Sequence, residues 1–123
     1  MSDTRVFPRM ALHRATRLVG APVENLRGES LGKIEDLIID PGDGRVAAAI
    51  VSMGGFLGIG EKLTAIPMPA LSYEESMARF VLDIDRETLR RAPAFDPQDW
   101  PELLDRIWAA DVHTIFGYPP YWH

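Results

Sequence analysis

The stretch Arg45–Pro67, RVAAAIVSMGGFLGIGEKLTAIP, constrains the fold of this chain more than any other part of it. Two apolar runs flank a glycine-rich turn. In Arg45–Met53 the apolar residues occupy both alternating sets: Val46, Ala48 and Ile50, and also Ala47, Ala49 and Val51. A strand that is apolar on both faces has to be covered on both. That predicts the central strand of a closed or sandwiched sheet. In Lys62–Pro67, Leu63, Ala65 and Pro67 share one face and Lys62, Thr64 and Ile66 the other. Between the runs, Gly54, Gly55, Phe56, Leu57, Gly58 and Gly60 predict a wide structural hairpin, in which the glycines supply positive φ angles.

The rest of the chain supports a small β domain. Met1–His13 mixes charge with Pro8, has no hydrophobic period, and reads as a mobile arm over residues 1–13. Within Arg17–Leu26 a short strand is expected around Leu18 and Val19, with a second extended piece at Val23. Gly20 and Pro22 argue against helix there. Ser30–Asp40 reads as a long strand whose period slips near Glu35-Asp36, as a β-bulge would make it. Helix competes for that segment, weakened by Gly32 and the β-branched pair Ile38-Ile39. Asp40-Pro41-Gly42-Asp43-Gly44 is a tight turn. Met68–Leu71, bounded by Pro67 and Pro69, is a corner, and Leu71–Glu75 is short and extended. Ala78–Asp85 alternates, with Phe80, Leu82 and Ile84 inward and Asp83 and Asp85 outward. Asp85 then caps one helical turn, Arg86–Arg90. Five or six short strands at this spacing predict a mainly β barrel over residues 14–92.

Residues 93–123 differ in character. Asp96-Pro97 and Asp99-Trp100-Pro101 are helix-start signals, and Leu103, Leu104, Ile107, Trp108 and Val112 recur at helical spacing. An extended aromatic tail follows. Six of the eleven aromatic residues lie between Trp100 and Trp122. That much apolar surface must pack on the barrel or on another chain. Trp108, Phe116, Tyr118, Tyr121 and Trp122 are therefore the candidate interface. The simplest arrangement is a two-fold homodimer in which each tail packs on its neighbour. Tyr118-Pro119-Pro120-Tyr121 reads either as a stiff strap across a barrel or as a polyproline ligand for an aromatic groove.

No catalytic, cofactor-binding or metal-ligating set emerges. The 123 residues contain no cysteine, which excludes disulfides, thiol nucleophiles and cysteine metal sites. The net charge of −5 with scattered basic residues predicts no direct nucleic-acid binding. No apolar window is long enough for a transmembrane segment, and the N-terminus is not a secretory signal, so a cytoplasmic setting is expected. Gly55, Gly58 and Gly60 precede a strand rather than a helix, which disfavours a phosphate cradle. Glu35, Asp36, Asp40 and Asp43 lack the spacing of a calcium loop. Asp83 and Asp85 could form a carboxylate pair, but without a cleft they read as a solvated strand face. Glu61-Lys62 reads as a charge pair at a strand start. His13, His113 and His123 are isolated, and Ser30, Ser52, Ser72 and Ser76 lack a nucleophile elbow.

Four segments together resemble the PRC-barrel family: Arg17–Gly20, Gly28–Leu37, Val51–Lys62 with its Gly58-Ile59-Gly60-Glu61-Lys62 ending, and Ile66-Pro67. The resemblance runs from about Thr16 to Ala92. The family is named for the cytoplasmic domain of the photosynthetic reaction-centre H subunit. It also includes the C-terminal domain of a ribosome-maturation factor and many short stand-alone bacterial proteins. Asp96–Trp122 is similar to the ending of small stand-alone members. The resemblance implies a small closed barrel of about six strands, followed here by a C-terminal helix and the aromatic tail. It implies a non-enzymatic adaptor or assembly role, with self-association, no cofactor, and an unknown protein partner that includes membrane-associated complexes among its options. A small-ligand module using a cleft between barrel and tail, and a factor associated with ribosomes or RNA processing, are the alternatives. This sequence lacks the membrane helix of the reaction-centre subunit and the additional N-terminal domain of the ribosome factor, and these departures weigh against those two specific functions.

Overall fold

In a computed structural model of the chain, residues 12–54, 61–100 and 116–117 are described. A short helix α1 (Ala15–Leu18) precedes six strands: β1 (Pro22–Glu24), β2 (Ser30–Asp40), β3 (Arg45–Gly54), β4 (Glu61–Pro67), β5 (Leu71–Glu74) and β6 (Arg79–Leu82). Single 3-10 turns at Met68–Ala70 and Glu75–Met77 flank β5, and helix α2 (Arg86–Arg90) follows β6. The strands form one sheet in the order β4-β3-β2-β1-β6-β5. Neighbours are antiparallel except β1 and β6, which run parallel through Val23↔Phe80 and Glu24↔Val81.

The two edge strands of this sheet, β4 and β5, are consecutive in sequence and separated only by Met68–Ala70. Three residues span roughly 10 Å. The sheet therefore has to curl until its edges approach, which is the barrel geometry expected from the strand spacing. One interior cluster confirms the curl. Val23 from β1, Leu31 and Ile34 from β2, Ala49 and Val51 from β3, Ile66 from β4, Leu71 from β5 and Phe80 and Leu82 from β6 all belong to it, with Leu89 of α2 closing one side.

Curvature is built at named positions. The register of β2 against β3 slips between Ile34 and Asp36, where the sequence places a bulge, and again between Ile38 and Ile39. Gly32 has φ +145°, and a Cβ there would stand 2.2 Å from the Ser52 carbonyl oxygen. No side chain fits between the two strands at that point. The Asp40–Gly44 turn forms as expected. Asp40 Oδ1 accepts from the amides of Gly42 (3.1 Å) and Asp43 (3.2 Å), and Gly44 takes φ +68°. Asp85 caps α2 by accepting from the Thr88 amide at 2.6 Å.

Three expectations need correction. Leu18 ends a helical turn rather than lying in a strand; the turn stops at Val19, before Gly20 (φ +93°), and Gly20 and Ala21 then bond to Ile34 of β2. Strand β3 is paired on both sides but stands second from the β4 edge, not at the centre. Its two buried faces have another cause, taken up below. Asp83 and Asp85 lie beyond the end of β6 at Leu82, so they do not share a strand face. Gly54, the last residue of β3, has φ +87°. Gly55, Phe56, Leu57, Gly58 and Gly60 lie outside the described residues, as do residues 1–11 of the arm and the helix expected from Pro101.

The close approach at Gly32 yields the first prediction. Gly32→Ala should cost about 2 kcal/mol or more, a fall in melting temperature of about 5–10 °C. Gly44→Ala, which meets open space at φ +68°, should cost only about 1 kcal/mol. Equal melting temperatures for the two variants, read by circular dichroism, would contradict the close approach.

Candidate functional site

The alternation in β3 and β4 sorts their side chains onto two sheet faces. Ala49, Val51 and Ile66 point into the barrel, whereas Ile50, Leu63 and Ala65 form a separate cluster on the outside. An outer face of this kind on a small barrel would ordinarily be polar. Here it is buried because the region after α2 lies across it. Phe95, Trp100 and Phe116 pack on it, together with Ile38 of β2. This cover is the reason that β3 reads as apolar on both faces.

The cover is fastened by backbone and side-chain bonds. Phe95 pairs with Leu63 as an antiparallel bridge, each amide donating to the other's carbonyl at 2.9 Å. Residue 95 thus extends the sheet past its β4 edge. Thr64, 1% exposed, donates from Oγ1 to the Pro93 carbonyl at 3.2 Å, and Lys62 Nζ bonds Asp96 Oδ1 at 2.6 Å. The Phe95 and Trp100 rings meet edge-on with centroids 5.1 Å apart. Asp96-Pro97 does not begin a helix: the Asp99 amide bonds the Asp96 carbonyl at 2.9 Å in a turn, while the helix expected after Asp99-Trp100-Pro101 lies outside the described residues.

Of the five candidate interface residues, Phe116 is among the described ones, and it sits against both the inner and the outer cluster of its own barrel. Trp108, Tyr118, Tyr121 and Trp122 lie outside the described residues. Phe95 and Trp100 are contributors that the sequence reading did not single out. The Phe-x-x-x-x-Trp spacing carried no period, because the segment between them is a turn rather than a helix or strand.

Polar side chains elsewhere are spent on structure. Asn25, 4% exposed, anchors the β1–β2 turn: its Oδ1 accepts from the amides of Arg27 and Glu29 at 3.0 Å each, and its Nδ2 donates to Glu29 Oε1 at 2.7 Å. That donation, aided by Arg27 and partly opposed by desolvation, holds the Glu29 carboxyl below its ordinary range. Arg79 bridges Glu74, at 2.8 Å, and Glu24, tying β5, β6 and β1; both carboxylates push the guanidinium pKa up. The Thr88 amide and hydroxyl lower the Asp85 pKa. Glu61 and Lys62 are not paired with each other. Adjacent strand residues point oppositely, so Glu61 accepts from Ser52 Oγ at 2.6 Å while Lys62 reaches Asp96. His13 Nε2 stands 3.0 Å from Glu75 Oε2, and its ring meets Tyr73 edge-on. No cluster of three metal-ligating side chains occurs among the described residues.

Among the described residues, two shallow grooves are lined by barrel residues. One, of about 490 Å³, lies between the β2–β3 turn and the Met68–Ala70 corner; the other, of about 520 Å³, lies between the Asn25–Glu29 turn and the β6–α2 link.

Comparison with known proteins agrees with the geometry. The PRC-barrel domain model matches residues 10–89. The chain belongs to the PRC-barrel family. Among solved structures, it is similar to a putative 16S ribosomal RNA processing protein RimM from Pseudomonas aeruginosa, at 21% identity and a TM-score of 0.39. That match covers 66% of this chain and 50% of the other, so the chain spans about half the length of that protein. No curated protein matches the chain.

The outer face of this PRC barrel provides a second prediction. Phe95→Ala removes a half-buried ring from the cover and should cost about 2 kcal/mol in urea unfolding, while raising the binding of an apolar dye to the folded state. An unchanged unfolding midpoint and dye signal would show that the ring does not cover the face.

Proposed function

We propose that this PRC-barrel protein is a non-enzymatic adaptor that self-associates and binds a protein partner in a cytoplasmic setting. One observation carries the reading. The outer sheet face formed by Ile50, Leu63, Ala65 and Ile38 receives aromatic side chains from outside the barrel, namely Phe95, Trp100 and Phe116. A surface that gathers aromatic rings is suited to docking, because buried aromatics dominate interface energies. The polar groups of the barrel point the same way. The side chains best placed for chemistry are engaged in turn, cap and strand-clamp bonds.

Self-association follows from the aromatic excess. Phe116 lies on its own barrel, so the proposed two-fold interface is formed where the tail-covered faces of two copies meet, with Trp108 and the tail rings between them. Light scattering after size exclusion should return a homodimer for the full chain at tens of micromolar. Removing residues 99–123 uncovers the outer face and should yield a monomeric or aggregating barrel. A full-length monomer, or a dimer undisturbed by the truncation, would overturn self-association through this face.

The same charges argue against a nucleic-acid partner. Arg27, Arg45, Lys62, Arg79 and Arg90 each lie against a carboxylate within 4 Å, so they do not add up to a free basic stripe. RNA binding at physiological salt should be on the order of 10 µM or weaker, and should fade further with added salt. Sub-micromolar binding in filter or anisotropy assays would instead favour an RNA-linked role.

A further inference from the structure

The bridge between Leu63 and Phe95 sets the register of the segment that crosses β4. In an antiparallel pair, residues that exchange both amide bonds recur two positions away in each direction. Leu63 and Phe95 exchange both bonds, at 2.9 Å each. The next pairs in that register are Ala65 with Pro93 and Glu61 with Pro97. Both positions that would have to donate to β4 are therefore prolines, which have no N–H. The ladder stops there. The bridge is isolated, and neither the Ala65 nor the Glu61 backbone bonds the backbone of residues 93–97. The Pro93 carbonyl, which in a ladder would face the Ala65 amide, accepts from Thr64 Oγ1 at 3.2 Å instead.

Between the prolines, the side chains fit the edge well. Phe95 packs on the outer cluster with Leu63, and Asp96, opposite Lys62 in the same register, bonds its Nζ at 2.6 Å. The crossing segment is thus matched to β4 in its side chains and mismatched in its backbone. That mismatch identifies what the edge holds better. Strand edges take extended segments through main-chain bonds, and alternate side chains supply the specificity. A segment with the same aromatic-acidic pair, but with N–H groups two positions to either side of the ring, keeps every bond of the resident bridge. It adds donors to the Ala65 and Glu61 carbonyls. A second copy of this chain carries the same prolines and gains nothing, so the occupant is a different protein. The resident segment is also cheap to release, because its ion pair is solvent-exposed on both sides.

We propose that the β4 edge is a strand-docking site held closed by residues 93–97, and that its partner is an extended protein segment with an aromatic residue followed by an acidic one and no proline two positions to either side of the ring. This deepens the adaptor reading, on which it rests for the class of partner, and is separate from self-association. Pro93 and Pro97 make the resident segment an occupant that covers the edge without completing its ladder, so a strand that does complete it can take its place.

Two synthetic peptides isolate the backbone contribution. One has the sequence of residues 91–99; the other has the same sequence with Pro93→Thr and Pro97→Thr. Each is titrated to millimolar concentration, the range at which a tethered segment competes, into the full-length chain labelled with nitrogen-15. The threonine peptide should bind at least about tenfold more tightly than the proline peptide, as two added backbone bonds would give. Its amide shift changes should centre on Glu61, Leu63 and Ala65. Equal affinities, or no binding by either peptide, would overturn edge docking, and so would shift changes that leave those three amides unmoved. Full-length Pro93→Thr/Pro97→Thr gives the resident segment the same donors. The amides at positions 93 and 97 should then exchange with solvent at least about tenfold more slowly than exposed ones. This variant should also bind the threonine peptide at least about tenfold more weakly than the unmodified chain. Undiminished binding by the folded variant would overturn closure by the prolines. The peptide comparison uses the unmodified chain, so it decides the proposal even if the variant fails to fold. Light scattering without peptide reports self-association separately, so loss of edge docking leaves the dimer standing and the reverse also holds.

Discussion

The three-residue corner Met68–Ala70 is the constraint on which the rest of the barrel depends. It ties together the two edge strands of a six-stranded sheet, so the sheet has no flat solution. Everything distinctive about β2 follows. A strand of eleven residues cannot stay straight while the sheet curls beneath it, and it bends through two register slips, at Ile34/Asp36 and Ile38/Ile39. Where the bend brings β2 hardest against β3, at Gly32 and Ser52, there is no room for a Cβ. The parallel β1–β6 pair is the other consequence. Once β5 and β6 return from the corner, the remaining free edge is that of β1, and Val23 meets Phe80 there.

Curling gives the sheet an inside and an outside, and β3 with β4 is apolar on both. The inside is accounted for by the core. The outside is exposed surface until the region after α2 crosses it, held by the Leu63–Phe95 bridge and the Thr64–Pro93 bond. Edge strands invite pairing with other chains unless covered. Residue 95 occupies one stretch of the β4 edge. Burial of the outer face therefore depends on which aromatic side chains lie on it, here Phe95, Trp100 and Phe116.

The sequence disclosed local features well where one residue type has one physical use. The Asp40–Gly44 turn, the Asp85 cap, the slip in β2 and the inward set Phe80 and Leu82 were all readable from turn chemistry and period. It disclosed less where context decides. Leu18 and Val19 suit a strand by type, but four residues before a positive-φ glycine can close one helical turn, and nothing local distinguishes the two. Asp96-Pro97 has the composition of a helix start, yet Lys62 and the β4 edge hold the segment as a turn. The double-sided burial of β3 was legible while its cause was not. A covering segment forty-five residues away leaves the same mark on a strand as a central place in a sheet. Gly32 looked like a helix-breaker, and only the neighbouring strand shows that it is a point of contact. For the site, the aromatic excess after Trp100 was visible, whereas the role of Phe95 needed the bridge to Leu63.

A face covered by its own chain also sets the terms on which an outside partner can bind. A segment tethered by a few residues acts at an effective concentration in the millimolar range. A partner segment at micromolar concentration, offering the same contacts, is outcompeted about a thousandfold, or about 4 kcal/mol. With Phe95, Trp100 and Phe116 in place the outer face is filled, which protects an apolar surface that would otherwise promote aggregation. On the proposed adaptor reading, a partner displaces this cover only by adding contacts that the cover does not make. The exposed Ile39, next in the chain to Ile38 of that face, is one residue able to supply them. Selectivity on that reading arises from residues beside the covered face rather than from those forming it, since the face is already satisfied by the chain itself.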